Sequence, residues 1–76
     1  MPLSMCRIGS IVIVKALSLN EDLSKRLYSM GLIRGAVLKV ISTEHQGPMT
    51  IELLGSQLVL GYEIVAKIQV ETAKYR

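Results

Sequence analysis

The chain has 76 residues, half of them hydrophobic, and a formal net charge of +3 at pH 7. So short a chain leaves roughly 40% of its unfolded surface exposed after folding, and its mean hydropathy of +0.42 exceeds what a small interior can easily hide. A single cysteine excludes a scaffold held by internal disulfides, and no apolar run approaches the ~18 residues of a membrane span. We expect one cytoplasmic domain, residues 1–76 with a core over about residues 8–71, whose surplus apolar surface contacts another protein or a second copy.

In chain order, residues 1–7 show little pattern and are interpreted as a lead-in. Three strands are then predicted, each after a glycine followed by a small residue and each rich in β-branched or aliphatic side chains. Period-two alternation predicts two more strands, and a segment too short for a stable helix predicts a single turn. The predicted strands span residues 11–14, 37–41, 50–53, 57–60 and 67–71, and the single turn spans residues 62–66.

One helix is predicted between the first two strands. Asn20 is the expected N-cap, because its side-chain oxygen can accept a hydrogen bond from an amide of the first turn. The acidic pair that follows lies at the positive end of the helix dipole. Leu23, Leu27 and Met30 recur at spacings of four and three residues, which predicts one buried apolar stripe.

Two glycines define the end of this helix. Gly31 is expected in the left-handed conformation that ends a Schellman motif, with Leu32 folding back over Leu27. Gly35, four residues later, begins the turn into the second strand. Within nine residues the pattern therefore changes from helix to strand. The alternative interpretation is that this segment only ends the helix, which also accounts for each of its residues.

Five short antiparallel strands with tight connections, and one helix inserted between strands 1 and 2, predict a mainly β fold. A sheet of this size can protect its edges by curling into a partly open barrel. We predict an SH3-like barrel with the helix capping one end. An OB-type barrel is the alternative, although its helix would be expected later in the chain.

Few residues point to catalysis, metal binding or nucleic acid. His45, the only histidine, lies in a predicted surface loop beside Glu44, and Cys6 has only Arg7 as a basic neighbour; neither forms a positioned catalytic pair. No two donors have the spacing of metal ligands. The nine basic residues are dispersed and aromatic residues number three, whereas nucleic-acid binding favours clustered charge and stacking platforms. We predict no catalytic residue, no metal site, no cofactor and no nucleic-acid partner.

With these residues in view, the chain resembles the FeoA family of bacterial and archaeal ferrous iron transport. The central block, Arg26 to Gly35, resembles the family pattern R-L-x-x-[LM]-G-[LM]-x-x-G. Gly9, the Gly47-Pro48 pair and the strands at 58–60 and 68–70 extend the resemblance to about residues 8–70. Arg34 stands where the family often has proline, and Gly61-Tyr62 replaces a common basic pair.

The resemblance implies an SH3-like fold that also occurs at the C-terminus of repressors of the diphtheria-toxin-repressor type. It implies a non-catalytic accessory protein that docks on the cytoplasmic G-protein region of a FeoB-type ferrous iron permease. The membrane would then be reached only through this partner, and any association with ferrous iron would be weak or indirect. A homo-oligomer is also compatible with the apolar excess.

The expected docking residues are Leu32, Ile33 and Arg34, beside the helix terminus. Leu27, Met30 and Gly31 are expected to hold that surface in shape, and Gly35 belongs to the same structural motif. Burial in the core is the alternative for Leu32 and Ile33. Two other functions stay open: a regulatory domain that senses a metal or a peptide, and a small RNA-binding barrel. The latter predicts affinity that falls steeply with salt.

Overall fold

A computed structural model describes residues 1–73. The expected domain, residues 1–76, therefore includes residues 74–76, which lie outside the described part of the chain. The elements follow the predicted order, with the longer strands extending beyond the predicted segments. They are a 3₁₀ turn Leu3–Met5, β1 Ile11–Leu17, α1 Glu21–Ser29, β2 Val37–Thr43, β3 Met49–Leu53, β4 Ser56–Leu60, the short helix α2 Tyr62–Val65 and β5 Ile68–Thr72.

The five strands form one antiparallel sheet in the order β4-β3-β2-β1-β5. This confirms the predicted mainly β fold with a helix between the first two strands. Register shifts between Val14 and Ala16 and between Val40 and Ser42 interrupt two of the ladders. Such bulges increase local twist and bend a strand, which lets a small sheet curl around its own apolar face.

Alternating side chains of the strands form the core, as the period-two patterns predict. Fully buried leucine, isoleucine and valine side chains each contribute roughly 1.5–3 kcal/mol relative to exposure. The buried set takes at least one residue from every strand and adds residues from the connections. It comprises Leu3, Cys6, Val12, Val14, Leu27, Leu32, Leu38, Val40, Met49, Ile51, Leu53, Leu60, Val65, Ile68 and Val70.

The interpretation of residues 1–7 as a patternless lead-in was wrong. Leu3 is completely buried and Cys6 nearly so, which extends the core beyond the expected residues 8–71. Pro2 forms an antiparallel bridge with Gln69. The carbonyl of Met1 accepts a hydrogen bond of 2.8 Å from the amide of Val70. This segment thus covers the outer edge of β5, a long-range contact that short-range periodicity cannot reveal.

Helix α1 is capped at both ends, by a side chain at its N-terminus and by backbone hydrogen bonds at its C-terminus. The Asn20 side chain accepts a 2.8 Å hydrogen bond from the amide of Leu23. At the other end, the amide of Leu32 donates to the carbonyl of Leu27 and the amide of Gly31 donates to the carbonyl of Tyr28, both at 2.9 Å. This pair of bonds is the Schellman motif.

No helix within residues 1–73 is long and apolar enough to cross a membrane.

The prediction that Met30 completes a buried stripe was wrong. Met30 is the C-cap residue, with φ −96° and ψ 3°, so the helical spacing from Leu27 no longer applies to it. Its side chain is 43% exposed, whereas that of Leu32 is completely buried. The Schellman reversal therefore places Leu32 in the core, where continued helix would have placed Met30.

Candidate interaction site

The connection between α1 and β2 forms a tight, well-anchored turn. The amide of Ala36 donates to the carbonyl of Ile33 at 3.0 Å, and Gly35 has φ +91°. Positive φ at the third position is the requirement of a type II turn, which favours glycine there and proline at the second position. Arg34 occupies that second position. Two hydrogen bonds with Val14 of β1, at 2.8 and 2.9 Å, hold the turn to the sheet.

A second turn, between β3 and β4, reaches the same surface. Leu53 pairs with Ser56, so the loop consists only of Leu54 and Gly55, with φ of +53° and +79°. Positive φ at both loop residues defines a type I′ turn, where the first position favours asparagine, aspartate or glycine. A leucine in this left-handed region costs roughly 1–2 kcal/mol. Leu54 is nevertheless 83% exposed, so burial of its side chain does little to offset that cost.

Gly31 and Leu54 bring the two turns together. A Cβ built on Gly31 would lie 2.7 Å from Cδ1 of Leu54, closer than real Cβ atoms approach another heavy atom. Gly31 also has φ +92°. The glycine thus serves two purposes: it ends the helix, and it leaves room for the exposed leucine of the neighbouring hairpin.

We call the surface formed by Ile33, Arg34, Val37 and Leu54 the Leu54 patch. Ile33 is 47% exposed and Val37 is 53% exposed. All four side chains line one shallow depression, together with the glycines of the α1–β2 connection. Val37 and Leu54 also line an adjoining depression, whose lining includes Lys39 and Glu52. The surface around Leu54 therefore combines apolar and charged side chains.

The structure separates the three predicted docking residues. Ile33 and Arg34 lie on the Leu54 patch, but Leu32 is completely buried and cannot touch a partner. Sequence reasoning missed Val37 and Leu54. The signal for Leu54 was present, because a leucine precedes glycine in a two-residue hairpin turn that normally takes a polar residue.

The groups considered for metal or acid–base chemistry lie elsewhere. Cys6, Glu44 and His45 line one depression beside the β2–β3 turn, yet within residues 1–73 no three donors come together to hold a metal ion. Burial raises the pKa of the Cys6 thiol, and the positive amino group of Met1 partly opposes this rise. A thiol kept neutral in this way is a poor nucleophile and a poor metal ligand.

The fold and this surface define a small SH3-like domain with an exposed apolar patch between two turns. The sequence profile of the FeoA domain matches residues 1–72, and the chain belongs to the FeoA family, whose members are accessory proteins of ferrous iron transport. It is 39% identical over 74 residues to a provisionally named Fe(2+) transport protein A of Methanocaldococcus jannaschii, covering 97% of this chain and 89% of that protein.

Solved structures agree with this assignment. The crystal structure of an iron uptake regulatory protein, FeoA, is 27% identical with a TM-score of 0.87, covering 96% of this chain and 97% of that one. The solution structure of FeoA from Chlorobium tepidum is 28% identical with a TM-score of 0.89, covering 97% and 71%. A manganese-dependent transcriptional repressor, 20% identical with a TM-score of 0.86, covers 96% of this chain and 41% of the repressor, and shares the fold alone.

Proposed function

We propose that this chain is a cytoplasmic, non-catalytic interaction module that docks on the G-protein region of a FeoB-type ferrous iron permease through the Leu54 patch. The observation that supports this assignment most strongly is Leu54 itself. It is a large aliphatic residue held exposed in a left-handed backbone conformation. Family membership and the relatives' link to Fe(2+) transport support a permease of this class as the partner.

Backbone strain of this kind favours a contact role over a structural one. A residue in a sparsely populated conformation persists where the surroundings hold it there, and such residues cluster at functional sites. Leu54 fills no internal cavity, since 83% of it is exposed. Because folding gains little from the side chain, we infer that its stabilising contact forms only when a partner covers it.

The surroundings of Leu54 suit a preorganised docking surface. The type II turn that carries Ile33 and Arg34 is tied to β1 by hydrogen bonds of Val14, and Gly31 holds the space beside Leu54. A surface already ordered before binding loses little conformational entropy when it docks. Arginine is enriched at protein interfaces, and exposed apolar side chains beside it suit the more apolar centre of an interface.

As an interaction module, the chain carries out no reaction of its own. His45 lies exposed in the β2–β3 turn and Cys6 lies buried with its thiol donating to the carbonyl of Pro2 at 3.9 Å. These two groups therefore differ in environment and form no hydrogen bond with each other in the described structure. In this proposed function, ferrous iron is the cargo of the permease and not a ligand of this chain.

Calorimetric titration of the permease's isolated G-protein region with this chain tests the proposal. We expect saturable binding by the wild type and a dissociation constant raised at least about tenfold by Ile33→Asp, because burying an unpaired charge at an apolar contact opposes docking. Ile8→Asp is the matched control. Ile8 is another exposed isoleucine, and it lines neither depression of the Leu54 patch.

The control variant should change the dissociation constant by no more than about twofold, as expected of a surface substitution outside a contact. Both variants should keep the circular dichroism spectrum and thermal midpoint of the wild type. Absence of wild-type binding, or equal weakening by the two variants, would contradict docking through the Leu54 patch.

A further inference from the structure

The two edges of the sheet differ within residues 1–73. The outer edge of β5 is covered by the chain's own first residues, through the bridge of Pro2 with Gln69 and the hydrogen bonds between Met1 and Val70. The outer edge of β4 has no such cover. Strand β4 pairs only with β3, and no backbone hydrogen bond from the described residues reaches its other side.

The hairpin geometry identifies which groups face outward from β4. Because a two-residue turn makes Leu53 and Ser56 a hydrogen-bonded pair, hydrogen-bonded and non-hydrogen-bonded pairs alternate along the ladder from there. Gln57 and Val59 fall on the non-hydrogen-bonded positions. Their amides and carbonyls therefore point away from β3, toward the open edge.

Strand β4 also lacks the features that usually protect an edge. Natural edge strands are guarded by charged residues, proline or bulges. Each of the other four strands contains a charged residue, whereas the sequence Ser-Gln-Leu-Val-Leu of β4 has neither charge nor proline. Its register with β3 runs without a shift, and Val59 is 69% exposed.

We propose that β4 is a self-association edge, at which two copies of this chain pair antiparallel about a two-fold axis through Leu58. In this register Gln57 faces Val59 of the second copy, and Val59 faces its Gln57. Both are hydrogen-bonded pairs, so all four outward amides and carbonyls of each copy are satisfied at once. Leu58 faces Leu58 of the second copy across a non-hydrogen-bonded pair, where side chains approach most closely.

The symmetry of the outward groups favours a second copy as the occupant, because Gln57 and Val59 lie on either side of Leu58 and each can bond the other residue of a second copy. The net charge of +3 opposes contact between charged surfaces of two copies, and among the strands within residues 1–73 β4 alone carries no charged residue. Pairings offset by one residue would bring the outward groups of one copy against groups already bonded to β3. Pairings offset by two residues would place Gln57 or Val59 opposite a residue outside β4. Only the register centred on Leu58 therefore pairs both outward residues within the strand.

Sedimentation equilibrium from about 10 μM to about 1 mM tests this pairing, because a short strand contact predicts a weak dimer with a dissociation constant on the order of 100 μM. The double variant Gln57→Lys/Val59→Lys should be monomeric throughout, since lysines would face lysines across the axis. The double variant Gln57→Glu/Val59→Glu should be monomeric for the same reason. An equimolar mixture of the two should dimerise again, because each lysine then faces a glutamate.

Both substituted residues, Gln57 and Val59, are exposed, and circular dichroism verifies that each variant is folded. Val59→Pro provides a second, uncharged test: it removes an amide that points outward and leaves the β3 ladder intact, as edge strands tolerate. It should also abolish the dimer. A wild type that stays monomeric at all concentrations, as would occur if the edge served an extended segment of another protein, overturns the proposal. A dimer insensitive to these variants, or a charge-reversed mixture that stays monomeric, does so as well.

Discussion

The two turns that form the Leu54 patch differ in how well their residue types suit their backbone conformations. In the α1–β2 connection, both positions with positive φ are glycines, Gly31 and Gly35, so backbone and sequence agree. In the β3–β4 hairpin, the first positive-φ position is Leu54, an exposed leucine. Agreement of this kind is typical of structure that serves folding, and a local conflict is typical of a functional site. The first turn provides the support, and the second provides the strained contact residue.

The largest stability effects are expected at the two glycines with positive φ in the α1–β2 connection, Gly31 and Gly35. Gly31→Ala should lower the free energy of unfolding by about 1–2 kcal/mol, because alanine resists the left-handed backbone. Gly35→Ala introduces similar backbone strain but meets nothing within 4 Å. Urea denaturation of both variants should show similar losses, whereas only Gly31→Ala should displace Leu54 and weaken docking. Equal dissociation constants for the two variants would show that Gly31 does not shape the Leu54 patch.

Relieving the strain at the second turn should have the opposite sign. Leu54→Asn places the preferred residue in a type I′ turn and should raise the free energy of unfolding by about 1 kcal/mol. The same variant should weaken docking several-fold, since it removes an exposed aliphatic contact. Thermal unfolding and calorimetric titration of one preparation measure both effects.

Val37→Thr serves as the control for Leu54→Asn, because it removes exposed apolar surface from the same patch on an ordinary strand residue. It should weaken docking without raising stability. If Leu54→Asn fails to stabilise the chain, the leucine is not strained; if it stabilises the chain and docking is unchanged, the leucine is not a contact.

A smaller and purely structural effect is expected at the start of the helix. Asn20→Ala removes the acceptor of the 2.8 Å bond from Leu23 and should cost about 1 kcal/mol. Docking should be unchanged, since Asn20 lines neither depression of the patch. The thermal midpoint and a titration check this pair of outcomes, and a loss of docking would show that the helix start also contributes to the contact.

Local patterns predicted the elements because each depends on neighbours in sequence. Alternation located the strands, and the end of α1 follows from a glycine at the position that needs positive φ. Met30 was misassigned because the helical period stops at the cap. The burial of Leu3 was missed because it depends on contacts with the far end of the chain.

The site was predicted only in part, for a related reason. Ile33 and Arg34 belong to the motif at the helix terminus, and that motif is visible in the sequence. Val37 and Leu54 lie in different elements, and only the fold brings Leu54 beside Gly31. Arg34 stands where the family often has proline. Proline would suit the same position of a type II turn, so this turn type accommodates either residue, and the arginine adds a charge to the patch.

Docking as proposed requires that a partner covers the Leu54 patch. Titration of the ¹⁵N-labelled chain with the unlabelled G-protein region of the permease, with each backbone amide followed by NMR, measures this coverage. The largest shifts or line broadening should fall on Ile33, Arg34, Val37 and Leu54. Perturbations confined to the His45 turn or to β4, or none at saturating partner, would contradict it.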